Sequence, residues 1–234
     1  RSGFYGFNDH EADWEMVNIY LAEAPDGNLV PEWVAYAAHD FSGDDLRRRW
    51  DDPELEKIND HPVVYVGVGS HASYYTPGEY LVELEVPYLS PLFGVLNEAK
   101  KFWQEKLTQY YDEPIWPREQ KGPTTFRLPF VDYARGDGLS IGPGQARCWS
   151  KPYLISEPPL WGSQYRGLWC MYVQDPRAGE NAPSGPMYNR DGTVRRAWYD
   201  PLGWAGLDKV PTTYETVTRI EEPHDVLAAR QAEL

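Results

Sequence analysis

The densest group of side chains able to do chemistry is His10-Glu11-Ala12-Asp13-Trp14-Glu15, which runs directly into the apolar stretch Met16-Val17-Asn18-Ile19-Tyr20-Leu21. Alternate residues of an extended strand face the same side. A strand from Trp14 to Leu21 therefore puts Asp13 and Glu15 on the face of Val17, Ile19 and Leu21, toward the core. Burying two like charges without partners costs several kcal/mol or more, on the order of the net stability of a small domain. The simplest neutralising group is a divalent cation, with His10 as the third ligand beside Asp13 and Glu15. Carboxylate oxygens suit Ca²⁺, Mg²⁺ or Mn²⁺, and an imidazole shifts the balance toward Mn²⁺ or Zn²⁺. Positions two apart on a strand lie roughly 6.5–7 Å apart at Cα, so the two side chains can converge on one ion while His10 reaches back from the loop. The bland alternative is salt bridging to Arg47, Arg48, Arg49 or another arginine.

A second group is Gly67-Val68-Gly69-Ser70-His71-Ala72-Ser73-Tyr74-Tyr75, immediately after the apolar run Val63-Val64-Tyr65-Val66. Glycines there permit close backbone approach. A histidine at the end of such a strand is well placed to orient a water or touch a ligand. Ser70 and Tyr74 accompany His71 as candidate ligand-binding residues. Ser70 beside a histidine also invites a nucleophile reading, but Ala72 stands where the Gly-x-Ser-x-Gly elbow requires glycine. Other features are weaker. Arg135-Gly136-Asp137 matches an integrin-type tripeptide, a frequent chance occurrence. His39 and Asp40 close a strand, while His61 and His224 sit in polar, proline-flanked segments. Trp161, Trp169, Trp198 and Trp204 read as core or stacking residues; exposed, such a cluster could bind sugars or lipid headgroups.

These groups need strands to position them. Pro25-Asp26-Gly27-Asn28 is a turn signal between the first strand and a second over Trp33 to Ala38, making a hairpin. Pro53, with Leu55 and Ile58 spaced to bury, suggests a short helix. The run from Pro62 to Gly69 is apolar on both faces, as in a central strand. Glu79 to Val86 alternates like a half-buried strand, and Asn97 to Asp112 has helical spacing ended by Pro114 and Pro117. From Thr124 onward the chain reads as loop-rich, with Gly/Pro-rich segments at Gly136 to Gly144 and Asp175 to Pro186. Asn189-Arg190-Asp191-Gly192 reads as a hairpin turn, and Pro223 to Leu234 as a short surface helix. No linker or repeat divides residues 1–234, so the expected fold is a single, mainly β domain: a β-sandwich with one or two inserted helices.

Composition narrows the function classes. A net charge of −14 repels phosphate, which argues against nucleic-acid binding. No run of about 18 apolar residues occurs, so no membrane span is expected in this segment. The chain opens on Arg1 and reaches its first motif within ten residues, so it is expected to be part of a longer protein whose missing start could carry targeting or membrane attachment. Cys148 and Cys170 allow one pairing; a bridge would favour an extracytoplasmic or secreted location, and two buried free thiols are the alternative.

Two blocks together, His10 to Val17 and Gly69-Ser70-His71-Ala72-Ser73-Tyr74, resemble the paired signatures of the vacuolar protein sorting-associated protein 62 family. The first block is also similar to the Gly-His-Arg-His-Asp-Trp-Glu heptapeptide of the necrosis- and ethylene-inducing-like proteins. Those are secreted β-sandwich cytolysins that hold a divalent cation and bind plant sphingolipid headgroups. Their His-x-x-Asp-x-Glu ligands fall on His10, Asp13 and Glu15, and a later histidine segment is similar to the stretch around His71. Asp9 and Ala12 replace a glycine and a histidine of the heptapeptide, and no acid stands where the cytolysins place an upstream ligand. The resemblance implies a β-sandwich and a cation at His10, Asp13 and Glu15; it does not supply an activity.

Three readings follow. The first is a non-catalytic, metal-binding β-sandwich domain that recognises a surface ligand such as a glycan, a lipid headgroup or a partner protein. The second is a metal-dependent hydrolase of ester or phosphodiester bonds with His71 or Glu15 as general base. The third is a structural accessory domain of a larger assembly.

Overall fold

The structure is a computed structural model that describes residues 12–38, 41–85, 106, 127–149, 159–166, 173–174, 181–182, 187–188 and 193–212. Among these, short antiparallel sheets dominate and helices are few, so the fold is mainly β.

The first hairpin forms where the turn residues require it. β1 (Val17–Glu23) pairs with β2 (Leu29–Tyr36), which pairs in turn with β3 (Arg47–Arg49). Gly27 adopts φ 81°, and the Asp26 carboxylate accepts the Asn28 N–H at 3.0 Å. β1 starts at Val17 rather than Trp14, so Asp13 and Glu15 lie in its lead-in. Directly opposed residues share a face, and Val17 faces Tyr36 while Ile19 faces Val34. Val34 and Tyr36 are fully buried and Val17 packs against the core, but Ile19 and Leu21 are exposed because the hairpin extends beyond it. The inward face of β1 therefore holds only at its Val17 end.

The short helix expected at Pro53 is absent. The Asp52 carboxylate accepts the Glu54 N–H at 2.9 Å and its carbonyl accepts the Leu55 N–H at 3.0 Å, closing a turn. β4 (Lys57–Ile58) and β5 (His61–Pro62) follow as a tight hairpin with Asn59 at φ 56°. Leu55 is buried all the same. The expected central strand is also shorter than its apolar run. β6 (Tyr65–Val66) pairs with β7 (Ser73–Tyr74) for two residues before the Gly67 turn, leaving Val64, Val66 and Val68 exposed.

The long pairing lies elsewhere. β8 (Gly78–Glu85) and β9 (Arg127–Ala134) run antiparallel over their full length, from Gly78↔Ala134 to Glu85↔Arg127. β9 falls where a loop-rich region was expected. β8 is buried on both faces at Glu79, Tyr80, Leu81 and Val82 rather than half-buried. An N–H···O bond of 3.1 Å from Val68 to Tyr133 ties the Gly67 turn to β9. The core centres on stacked Tyr74 and Tyr80, with centroids 3.6 Å apart and Phe41 edge-on to both, surrounded by Val34, Tyr36, Leu46, Leu55 and Val82.

The remaining described pieces are short. They are α1 (Leu160–Ser163), a hairpin of β10 (Val173–Gln174) with β11 (Asn181–Ala182), α2 (Arg196–Tyr199), α3 (Pro201–Trp204) and a 3₁₀ turn at Leu207–Lys209. Asp200 caps α3 by accepting the Gly203 N–H at 3.1 Å. The Tyr20 hydroxyl donates to the Pro201 carbonyl at 2.7 Å, and Arg47 donates to the carbonyls of Ala205 at 2.5 Å and Gly206 at 2.7 Å, holding these turns against the first sheet. Tyr188 and Val194 form an antiparallel bridge on either side of 189–192, the expected hairpin turn, which itself lies outside the described residues. Of the expected helix at 97–112 only Lys106 is described, and it is helical. Residues 39–40 and 223–234 also lie outside the described set. No helix among the described residues is long and apolar enough to cross a membrane.

Candidate functional site

The two sequence blocks meet. His71 Nδ1 lies 2.5 Å from Asp13 Oδ2, across 58 positions of sequence. A carboxylate accepts hydrogen bonds, so Nδ1 is the donor in this contact and Nε2 points away from it. The imidazole side chain is 64% exposed, so that second nitrogen has access to solvent. Both partners sit on bent backbone: Ala12, just before Asp13, has φ 54°, and His71 has φ 61°. Such left-handed conformations are uncommon outside glycine and concentrate at functional sites. The His71 turn is closed by two backbone bonds, His71 N–H to the Gly67 carbonyl at 3.0 Å and Gly67 N–H to the Ala72 carbonyl at 2.9 Å.

Glu15 lies next to this pair and is partly buried. Burial, then the neighbouring Asp13 charge, pushes its carboxyl up to about 8, opposed by Arg195 and reinforced by Asp132. Its Oε1 is buried with no hydrogen-bond partner. The arginine whose charge Glu15 feels is thus Arg195, not the Arg47–Arg49 run. Arg47 donates to Ala205 and Gly206, Arg48 stacks on Tyr75 and pairs with Asp52 and Glu54, and Arg49 pairs with Asp51.

Ser70 and Tyr74 turn inward. The Tyr74 hydroxyl donates to Asp132 Oδ2 at 2.8 Å and the Ser70 hydroxyl donates to the same oxygen, while Ser70 Oγ accepts the Ala72 N–H at 3.0 Å. Asp132 is the residue that sequence reasoning missed. It lies on β9 in a stretch interrupted by Pro129, and nothing in the spacing ties it to Asp13 or His71.

The other candidates separate from this group. His61 is exposed and packs edge-on to Trp149, with centroids 5.8 Å apart. Arg135 of the Arg-Gly-Asp tripeptide pairs with buried Glu79 at 2.7 Å and so serves the hairpin. Trp161 is exposed, and Trp198 and Trp204 are half-buried. Cys148 is exposed rather than buried and lies 3.8 Å from the Gln145 carbonyl. His10, His39, Asp40, Trp169, Cys170 and His224 lie outside the described residues. Among the described residues, no group of three or more His, Cys, Asp or Glu side chains is assembled to hold a metal ion. Asp13 and Glu15, the described members of the expected ligand set, are accompanied by an orphaned buried oxygen, which suits a hard cation. Comparison with protein-family models, with curated proteins and with solved structures finds no match.

Proposed function

We propose that this chain is a metal-binding β-sandwich domain that recognises a surface ligand, a glycan, lipid headgroup or partner protein, and is not itself catalytic. The observation that carries this reading is Glu15: its carboxyl is held beside that of Asp13 with one oxygen buried and unpartnered. A divalent cation would relieve the repulsion and occupy that oxygen. His10, Asp13 and Glu15 would hold Ca²⁺, Mg²⁺ or Mn²⁺, and His71, tied to Asp13 and open to solvent, would face the ligand. The paired resemblance to the vacuolar protein sorting-associated protein 62 family supports the same reading. Calorimetric titration and thermal unfolding with each cation test it. Stabilisation by mass action is expected, and no response in the wild type, or an equal response in Asp13→Ala, would sink the proposal.

One observation favours hydrolysis as a second reading. Asp13 holds Nδ1 of His71 and leaves Nε2 in solvent, the arrangement of a general base. Turnover of ester or phosphodiester panels that is lost in His71→Ala would establish it. Silence across the panels would leave the binding reading.

A further inference from the structure

The turn that carries His71 is fastened to β9 at two successive positions. Val68 donates its N–H to the Tyr133 carbonyl at 3.1 Å, and the Ser70 hydroxyl donates to Asp132 Oδ2. Ser70 Oγ also accepts the Ala72 N–H at 3.0 Å, so one oxygen spans the residues on both sides of His71. Asp132 is itself fixed. It is 0% exposed, and its Oδ2 takes the Tyr74 hydroxyl at 2.8 Å, on a ring stacked against Tyr80 in the core. Its carboxylate lies against Gly67, where an added Cβ would collide with both oxygens. The backbone bonds from His71 to Gly67 and from Gly67 to Ala72 set the curvature of the turn, but they lie within it and leave it able to tilt as a unit. The Val68 bond alone would serve as a pivot. The Ser70 bond, nearer to His71, removes that freedom, and a hydroxyl donating to a carboxylate is among the stronger hydrogen bonds. His71 needs such a restraint. Its φ of 61° persists in a residue with a Cβ only when the surroundings impose it, and its imidazole is 64% exposed, so packing covers little of it.

We propose that Asp132, acting through the Ser70 hydroxyl, is a positioning residue for His71. It locks the turn at the angle that presents Nδ1 to Asp13 and turns Nε2 toward solvent. The arrangement itself needs no ion, and it rests on the ligand-binding reading only for what His71 does once it is in place. It assigns Ser70 an orienting role behind His71 rather than a contact with the ligand. Side chains of a site are held in working geometry by hydrogen bonds from the layer behind them. Here that layer comes from β9, more than sixty positions along the chain from Ser70 as far as Asp132.

The test is a long-range proton–nitrogen correlation spectrum of the imidazole rings, recorded in chelator at one fixed pH so that no bound cation enters. The His71 signals are identified by their loss in His71→Ala, and Asp13→Ala defines the released ring. Ser70→Ala is expected to move the His71 nitrogens most of the way from the wild-type position to that of Asp13→Ala. Ser70→Thr, which restores the hydroxyl, is expected to return them. Tyr74→Phe removes a core bond to the same Asp132 oxygen but keeps the Ser70 bond, so it should lower the melting temperature and leave the ring signals in place. Wild-type signals in Ser70→Ala, or equal displacement in Ser70→Ala and Tyr74→Phe, would overturn the positioning role. Unmoved signals in Asp13→Ala would show that the Asp13–His71 contact does not form, and the proposal would fall with it. Should Ser70→Ala fail to fold, Ser70→Cys, which keeps the volume with only a weak donor, decides by the same displacement. The cation reading is decided separately by titration of the wild type, and its failure would leave these displacements as expected.

Discussion

Glu79 and Asp132 are equally buried, on opposite faces of the β8–β9 hairpin, and are neutralised in different ways. The register sets Tyr80 against Asp132 and Glu79 against Tyr133, so one carboxylate points to each side. Glu79 receives the Arg135 guanidinium at 2.7 Å, and that guanidinium also lies over the Tyr133 ring at 4.2 Å. Asp132 receives two neutral hydroxyls and keeps an oxygen without a partner. A carboxylate with its own guanidinium has a countercharge supplied from within the hairpin. A carboxylate on hydroxyls receives hydrogen bonds but no countercharge from them. The same strand pair thus carries one acid met by a guanidinium and one held by hydroxyls, and the identity of the donor tells them apart.

That contrast can be broken most sharply at Arg135. Removing one member of a buried pair leaves an uncompensated charge, so Arg135→Ala should cost about 3 kcal/mol or more in urea unfolding, and added divalent cation should not restore it. Rescue by cation would erase the distinction between the two faces. Gly67→Ala comes next, because the new methyl meets the Asp132 carboxylate. Overpacking of this kind costs about 1–3 kcal/mol, read in urea unfolding. Tyr74→Phe should cost about 1 kcal/mol in chelator, measured by thermal or urea unfolding. A loss above about 3 kcal/mol would place Asp132 with Glu79 as a structural acid.

The smallest effect is a pH slope at Glu15. Burial pushes its carboxyl up to about 8 in the folded chain from an ordinary 4.5. The folded state therefore holds this proton more tightly than the unfolded state. Stability from this group is full below pH ~4.5 and is lost as pH rises through about 8. Glu15→Gln in chelator should flatten that decline and raise the melting temperature by a few degrees at pH 8, on the scale of about 1 kcal/mol. Because cation must displace the proton, stabilisation by Ca²⁺ in wild type should be larger at pH 8 than at pH 6. Equal pH profiles for wild type and Glu15→Gln would contradict the burial of this carboxyl.

The sequence made one contact of the candidate site legible. Asp13, Glu15 and His71 stand out by residue type, and Asp13 and His71 meet as two blocks of one site should. The first hairpin is legible through Pro25 to Asn28, because Gly27 and Asp26 have turn chemistry that does not depend on distant packing. β9 is not legible, since Pro129 and the charged Arg127 and Asp132 disguise it; its eight residues become a strand by pairing with β8. Asp132 becomes informative only when Ser70, Tyr74 and Gly67 surround it. The Pro53 helix fails for a local reason: Asp52 captures the Glu54 amide, and Asn59 supplies a left-handed turn residue that favours a hairpin. The start of β1 fails by three positions, which moves Asp13 and Glu15 off the pleat and into the bent segment beside Ala12.

The bonds from Tyr20 to Pro201 and from Arg47 to Ala205 and Gly206 join positions 181, 158 and 159 residues apart. During synthesis the first hairpin leaves the ribosome long before those carbonyls exist. Until they arrive, the Arg47 guanidinium and Tyr20 hydroxyl lack these acceptors. Closing contacts over such separations is slow. The first sheet therefore gains these bonds only after Gly206 has been made, and a nascent chain stalled before Pro201 presents the sheet without them.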